Sequence, residues 1–107
     1  MFSTLDQYFD TLASRFDASE AGDWEASVQF VFDGGFSKAI TVNDGGLTVH
    51  AGEVADPDTR IEGDGKTWLG IVNGTTNGLM AIFQKKVRVS GNMDNLAMLQ
   101  KKEVFKR

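Results

Sequence analysis

Residues 59–99 read TRIEGDGKTWLGIVNGTTNGLMAIFQKKVRVSGNMDNLAML, and how this stretch parses decides the fold. Residues 59–62 form a short strand. Asp64 is placed to cap a helix carrying Trp68, Leu69, Ile71 and Val72. Asn73-Gly74 ends that helix, because both residues tolerate a left-handed C-cap. Thr76 or Asn77 caps a second, short helix with Leu79, Met80, Ile82 and Phe83. Val87 and Val89 alternate with Lys86, Arg88 and Ser90, the pattern of a half-buried strand. Gly91-Asn92 breaks that strand, and Met93, Leu96, Ala97, Met98 and Leu99 open a third helix. All three helices are apolar over an arc wider than the stripe a surface helix needs. Such an arc is covered on more than one side, either by sheet and protein or by sheet and a bound apolar molecule.

The segments before this stretch supply the rest of the sheet. Residues 3–16 predict an amphipathic helix, with Leu5, Tyr8, Phe9, Leu12 and Phe16 on one face. Ser3 is the expected cap and Asp6 the capping-box acid. Residues 17–23 read as a polar loop. In residues 24–33, Trp24, Ala26, Val28, Phe30 and Phe32 point one way, and Glu25, Ser27, Gln29 and Asp33 the other. Asp33-Gly34-Gly35 is a hairpin turn. The return strand, 36–43, turns Phe36, Ile40 and Val42 inward, with Lys38 interrupting the pattern. Asn43-Asp44-Gly45-Gly46 makes a second turn, and Leu47, Val49 and Ala51 alternate with Thr48 and His50 in a third strand. Residues 52–58 form an acidic loop with the only proline, Pro57. Strands joined by tight turns are antiparallel. The expected fold class is therefore α+β, a mainly antiparallel five-stranded sheet with helices on one face and the other face wet.

At 107 residues the chain is read as a single domain spanning 1–107. It has no cysteine, which excludes disulfides, thiolate metal sites and a cysteine nucleophile. No apolar run reaches membrane-spanning length, and residues 1–6 lack the pattern of a signal peptide, so a cytoplasmic address is expected. Asn73-Gly74-Thr75 fits a glycosylation sequon, which carries no meaning without secretion. The net charge of −4 is unevenly placed. Up to Asp64 the only cations are Arg15, Lys38 and Arg60. Beyond it Asp94 and Glu103 are the only acids, against Lys66, Lys85, Lys86, Arg88, Lys101, Lys102, Lys106 and Arg107. A basic half of this kind suits either an anionic partner or a solvated surface.

No reaction machinery is legible. Gly63-Asp64-Gly65-Lys66-Thr67 invites a phosphate-binding loop, but the required earlier glycine falls on Arg60, and the strand before it is assigned to an antiparallel meander. His50 is the only histidine and sits on an outward strand position, whereas a zinc site gathers three or four ligands. Asp56 and Asp58 flank Pro57 as solvated loop acids. The chain is read as a non-enzyme with no cofactor and no metal. Net acidity and the lack of interleaved exposed aromatics argue against nucleic acid as a partner of Lys85, Lys86 and Arg88, and none is expected. Trp68, Met80, Phe83, Met93, Met98 and Phe105 form an apolar set that reads first as core, since such stripes usually are, and second as ligand lining.

Three pieces of the stretch, in order and at these spacings, carry a resemblance. They are Trp68-Leu69 on a helix ending at Gly74; Ala81-Ile82-Phe83-Gln84; and Lys86-Val87-Arg88-Val89-Ser90-Gly91-Asn92-Met93 followed by the apolar residues 96–99. Together they resemble the C-terminal half of the sterol-carrier-protein, or non-specific lipid-transfer protein, domain family. Two positions depart from it: Thr76-Asn77 stands where many relatives have Asn-Pro, and Lys85 where many have Gly. The chain end Phe105-Lys106-Arg107 also differs from the peroxisomal signal of some relatives.

The resemblance implies the same sheet-and-helix layout with an apolar tunnel between the layers. It implies a carrier of lipid, fatty acid or fatty acyl-CoA. Trp68, Ile71, Leu79, Met80, Phe83, Met93, Leu96 and Phe105 are the candidate apolar lining. Lys85, Lys86, Arg88, Lys101 and Lys102 are the candidate contacts for a head group or a transient anionic membrane surface. A monomer or a homodimer fits equally. The alternative is a ligand-free accessory or homodimerisation module whose apolar helix faces meet a protein partner.

Overall fold

Two Gly-containing turns fold residues 26–51 into a three-strand meander, and this sets the sheet on which everything else packs. In the computed structural model, which describes residues 1–106, β1 (Ala26–Phe32), β2 (Phe36–Asn43) and β3 (Gly46–Ala51) pair antiparallel in sequence. β4 (Thr59–Gly63) adds on the other side of β1, and β5 (Val87–Gly91) pairs antiparallel with β4, giving the order β3-β2-β1-β4-β5. The helices are α1 (Leu5–Asp10), α2 (Leu12–Arg15), α3 (Ala18–Ala21), α4 (Gly65–Asn73), α5 (Gly78–Phe83) and α6 (Asp94–Leu99). The fold is α+β with a mostly antiparallel sheet.

One pairing differs from the sequence expectation. β4 runs parallel to β1, with Val28 opposite Thr59 and Phe32 opposite Gly63. β3 runs in the same direction as β1. The loop 52–58 leaves β3 and crosses the outer sheet face before β4 begins, so β4 enters parallel. The crossing accounts for a second difference. Gln29, read as solvent-facing, is fully buried. Its Nε2 donates to Gly52 O at 3.0 Å and Ser37 Oγ at 3.1 Å, while its Oε1 accepts from Val54 N at 2.8 Å. Asp58 N donates to Ser27 Oγ, and Ser27 N donates to the Asp58 carboxylate, which ties the far end of the loop to β1. The outer face is therefore covered over its centre.

The inner face carries the core. Val28, Phe30, Phe32, Ile40, Val42 and Ile61 are buried beneath Tyr8, Phe9, Leu12 and Trp68 from the helices. Ring contacts run through the middle of this layer, Phe9 to Phe30 at 4.9 Å and Phe30 to Trp68 at 5.5 Å. Lys38, which broke the alternation, points to this face at its edge. It lies 3.9 Å from both Asp6 and Asp10 and over the rings of Phe9 and Phe36, so its stem packs while its charge is matched.

The N-terminal helix expected over 3–16 is interrupted. Thr4, not Ser3, is the N-cap, and its side chain accepts from Gln7 N. Gln7 Oε1 in turn accepts from Ser3 N. Thr11 separates α1 from α2, with its hydroxyl returned to Gln7 O at 2.8 Å, a bond that competes with helix continuation. The expected loop 17–23 holds α3, capped by the Asp17 side chain. The caps expected further on are in place: Asp64 for α4, Asn77 for α5, and Gly74 as the left-handed residue ending α4.

The phosphate-loop lookalike has a packing explanation. A Cβ on Gly63 would stand 2.2 Å from Lys86 O, and one on Gly65 would stand 2.6 Å from Leu5 Cδ1. Both glycines allow close approach, of β5 and of α1. Arg60, at the position a phosphate loop reserves for glycine, pairs with Glu53 and Glu62. The parallel pairing of β4 removes the topological argument against such a loop, while the side-chain argument stands. Among the described residues no group of three or more His, Cys, Asp or Glu could hold a metal ion.

Candidate functional site

The Ser90-Gly91-Asn92-Met93 block joins β5 to α6 and sets where α6 lies. A Cβ on Gly91 would sit 2.2 Å from Asp58 O, so only glycine lets the two backbones meet. Asn92 O accepts from Thr59 Oγ1 at 2.6 Å, and Asn92 Oδ1 accepts from Asp94 N at 2.9 Å, which starts α6. Asn95 on α6 is buried. It donates to Thr59 Oγ1 at 2.9 Å and accepts from the Trp24 indole N–H at 2.9 Å. This buried polar chain ties α6 to β4 and to Trp24, two residues before β1.

α6 thereby delivers Leu99, Gln100, Lys101 and Lys102 to one side of a pocket of about 180 Å³. Phe2, Tyr8 and Arg15 come from the N-terminal segment, Ile71, Val72 and Gly74 from the end of α4, and Phe105 from the C-terminal segment. The segment after α6 is held against α2 and α3. Asp17 N donates to Val104 O at 2.7 Å, and Lys106 N donates to Arg15 O at 2.8 Å. Phe2 is fixed by reciprocal bonds with the Asn73 side chain, both 2.9 Å.

The pocket combines apolar walls with positive charge. Phe2, Ile71, Val72, Leu99 and Phe105 form the walls. Lys101 and Lys102 are exposed and belong to none of the ion pairs among the described residues. The Arg15 guanidinium lies 4.3 Å from the centre of the Phe2 ring and donates to Tyr8 O at 2.9 Å. Tyr8 itself is buried, and neither its hydroxyl nor the Trp68 indole N–H has a hydrogen-bond partner. Burial pushes the Tyr8 phenol well above its ordinary range, while the charge of Arg15 and the nearby Trp68 N–H act in the opposite direction.

Two further concavities lie elsewhere. An open groove of about 550 Å³ runs between the N-terminal helices and the β2–β3 edge, lined by Phe9, Ala13, Leu47 and Val49 with Asp10 and Lys38. A more polar one, about 490 Å³, lies beside Trp24, Glu25 and Asp44.

The expected site residues separate into three groups. Ile71, Phe105, Lys101 and Lys102 meet in the first pocket. Trp68 and Leu96 are buried core side chains outside all three concavities. Leu79, Met80, Phe83 and Met93 are exposed and line none of them, and Lys85, Lys86 and Arg88 are exposed beyond α5. Phe2, Tyr8 and Arg15 were not singled out for the pocket. The one available hint was the apolar face of the first helix, which reads as ordinary core.

A one-sided helical cover on a mostly antiparallel sheet, with an apolar pocket beside Lys101 and Lys102, fits a lipid-binding or lipid-transfer type of domain. The chain belongs to the SCP-2 sterol transfer family, whose model matches residues 6–102. No curated protein sequence matches it. Among solved structures, it is similar to a stereoselective inverting sec-alkylsulfatase from Pseudomonas sp., with TM-score 0.85 and 24% identity. That match covers 97% of this chain but only 16% of the sulfatase chain. It is also similar to palmitated sterol carrier protein 2-like 2 from Aedes aegypti, with TM-score 0.68 and 22% identity over 97% of this chain and 96% of that one. The apo form of sterol carrier protein 2 from Yarrowia lipolytica gives TM-score 0.69 and 18% identity, covering 94% and 91%. At these identities the likenesses establish the fold. No helix among the described residues is long and apolar enough to cross a membrane.

Proposed function

We propose that the protein carries a single-chain anionic amphiphile, a fatty acid or fatty acyl-CoA, with its head group at the Lys101–Lys102 rim and its chain against Phe2, Ile71, Val72, Leu99 and Phe105. The observation that carries this reading is the junction, in one pocket, of apolar walls with two lysines that belong to none of the ion pairs among the described residues. Burial drives binding. At ~25 cal/mol per Å² of apolar surface removed from water, an alkyl chain binds without directed chemistry. Lys101 and Lys102 select a negative head. The pocket is below the ~300–1,000 Å³ typical of small-molecule sites. A whole acyl chain therefore enters a tunnel that opens as side chains of residues 99–105 part from α4. The palmitated Aedes relative supports the chain class. The role is binding and transfer without catalysis.

Native mass spectrometry of purified protein, beside its denatured mass, tests this. One lipid-sized increment per chain supports the carrier. A clean doubled mass with no increment supports the ligand-free dimer module instead. Adding palmitate and titrating Lys101→Glu/Lys102→Glu against wild type tests the rim, with weaker binding expected in the variant.

A further inference from the structure

We propose that the outer face of α5 is a docking surface for anionic phospholipid membranes. Leu79 and Phe83 are 81% and 82% exposed, and Met80 between them is 51% exposed. Leu79 and Phe83 are one helical turn apart and share an edge of the helix. The residue that α5 buries is the small Ala81. Ile82 packs half-buried against the core, while Leu79, Met80 and Phe83 face outward, where an ordinary surface helix is polar.

Positive charge follows directly. Lys85 and Lys86 close the C-terminal turn of α5, their amides donating to Ile82 O and Ala81 O at 3.0 Å each. Both are exposed, and neither belongs to an ion pair among the described residues. Asp64, whose backbone N–H donates to Lys86 O at 2.9 Å, has its carboxylate engaged as the cap of α4. Arg88 contributes less, because Glu62 stands 3.7 Å from it.

Charge and area together favour lipid over protein as the occupant. A large aromatic side chain offers about 150–250 Å², so three side chains offer a few hundred, short of the ~800 Å² per partner of a standard protein interface. A bilayer needs no matching pocket: exposed apolar side chains enter the acyl region while adjacent lysines meet the anionic head groups. The start of α5 also borders the pocket, since a Cβ on Gly78 would lie 3.6 Å from both Ile71 Cγ2 and Gln100 Oε1. Docking by α5 would therefore set the pocket beside the bilayer. That last consequence rests on the carrier reading, whereas the docking itself does not.

The test is co-sedimentation of the full chain with phosphatidylcholine vesicles, with and without about a third phosphatidylserine. Wild type is expected to bind the anionic vesicles only, and to be released by high salt. Leu79→Ser/Phe83→Ser and Lys85→Glu/Lys86→Glu should each lower the partition coefficient about tenfold or more. All four positions are exposed, and melting curves check that the variants are folded. Phe83→Trp should show a blue shift of emission on anionic vesicles. Vesicle binding undiminished in the Leu79/Phe83 variant overturns the proposal, as does equal binding to neutral vesicles or none at all. So does a concentration-dependent doubling of mass that the same variant abolishes, because the face would then be a protein interface. Fatty-acid binding measured in parallel separates the readings. Vesicle docking without fatty-acid binding removes the carrier and leaves this proposal standing.

Discussion

Replacing Tyr8 by phenylalanine removes one oxygen and leaves the ring. That ring makes edge contacts with Phe2 at 5.3 Å, Phe9 at 5.0 Å and Trp68 at 6.3 Å, and a phenylalanine preserves all three. The hydroxyl, by contrast, is buried with no partner. An unsatisfied buried polar group costs about 1–3 kcal/mol, so Tyr8→Phe should stabilise the ligand-free protein by roughly 1–2 kcal/mol. For a domain of this size that is a rise in Tm of about 4–8 °C per kcal/mol.

The pH dependence gives an independent reading of the same group. Burial holds the phenol protonated in the folded chain above its ordinary value of 10.0. Above pH 10.0 the unfolded state ionises and the folded state does not, so wild-type stability is full below that pH and falls as pH rises past it. The slope from this group is about 1.4 kcal/mol per pH unit and should vanish in Tyr8→Phe. Tyr8 is the only tyrosine, so tyrosinate absorbance reports it alone and should appear only with unfolding. Thermal melts at neutral and alkaline pH, with and without palmitate, supply the assay. With palmitate bound the stabilisation should persist, because the carboxylate sits at the Lys101–Lys102 rim and the alkyl chain offers the hydroxyl no acceptor. A lower Tm for Tyr8→Phe in ligand-free protein would refute the reasoning, as would tyrosinate absorbance in the folded state near pH 10.

Three other substitutions have definite expected outcomes. Lys85 sits at φ +61°, in the left-handed region, so Lys85→Gly should raise stability by about 1 kcal/mol in urea melts. Gln29→Leu strips Val54 N and Gly52 O of their partners; it should cost about 2–4 kcal/mol and expose the loop 52–58 to hydrogen exchange. Lys66→Ala should leave lipid binding intact, and calorimetry with ATP and magnesium should show no heat for either protein.

Much of the fold was legible because one face of each strand must be buried. The alternation of residues 24–33 placed Val28, Phe30 and Phe32 in the core, where they lie. The turn and cap residues Asn77 and Gly74 marked helix ends that local chemistry alone decides. The parallel entry of β4 was not legible, because a loop of this length sets no strand direction. The burial of Gln29 follows from that same crossing, so the error was shared. Lys38 disturbed the pattern because its stem, not its charge, belongs to the inner face.

The pocket was legible only in part for a different reason. Phe2, Tyr8 and Arg15 reach Lys101 and Phe105 across nearly the whole chain length, and no local period encodes that meeting. On α5 the wide apolar arc could not say which of its apolar residues face the core. Leu79 and Phe83 were read as lining, but α5 turns Ala81 and Ile82 toward the core and leaves Leu79 and Phe83 facing outward.

The most direct test of the carrier reading is an NMR experiment with uniformly ¹³C-labelled palmitate and unlabelled protein, recording isotope-filtered NOEs. Contacts from the chain to Phe2, Ile71, Val72, Leu99 and Phe105, with head-group-end contacts to Lys101 and Lys102, are the expected result. NOEs confined to Leu79, Met80 and Phe83, or none at saturating palmitate, would contradict it.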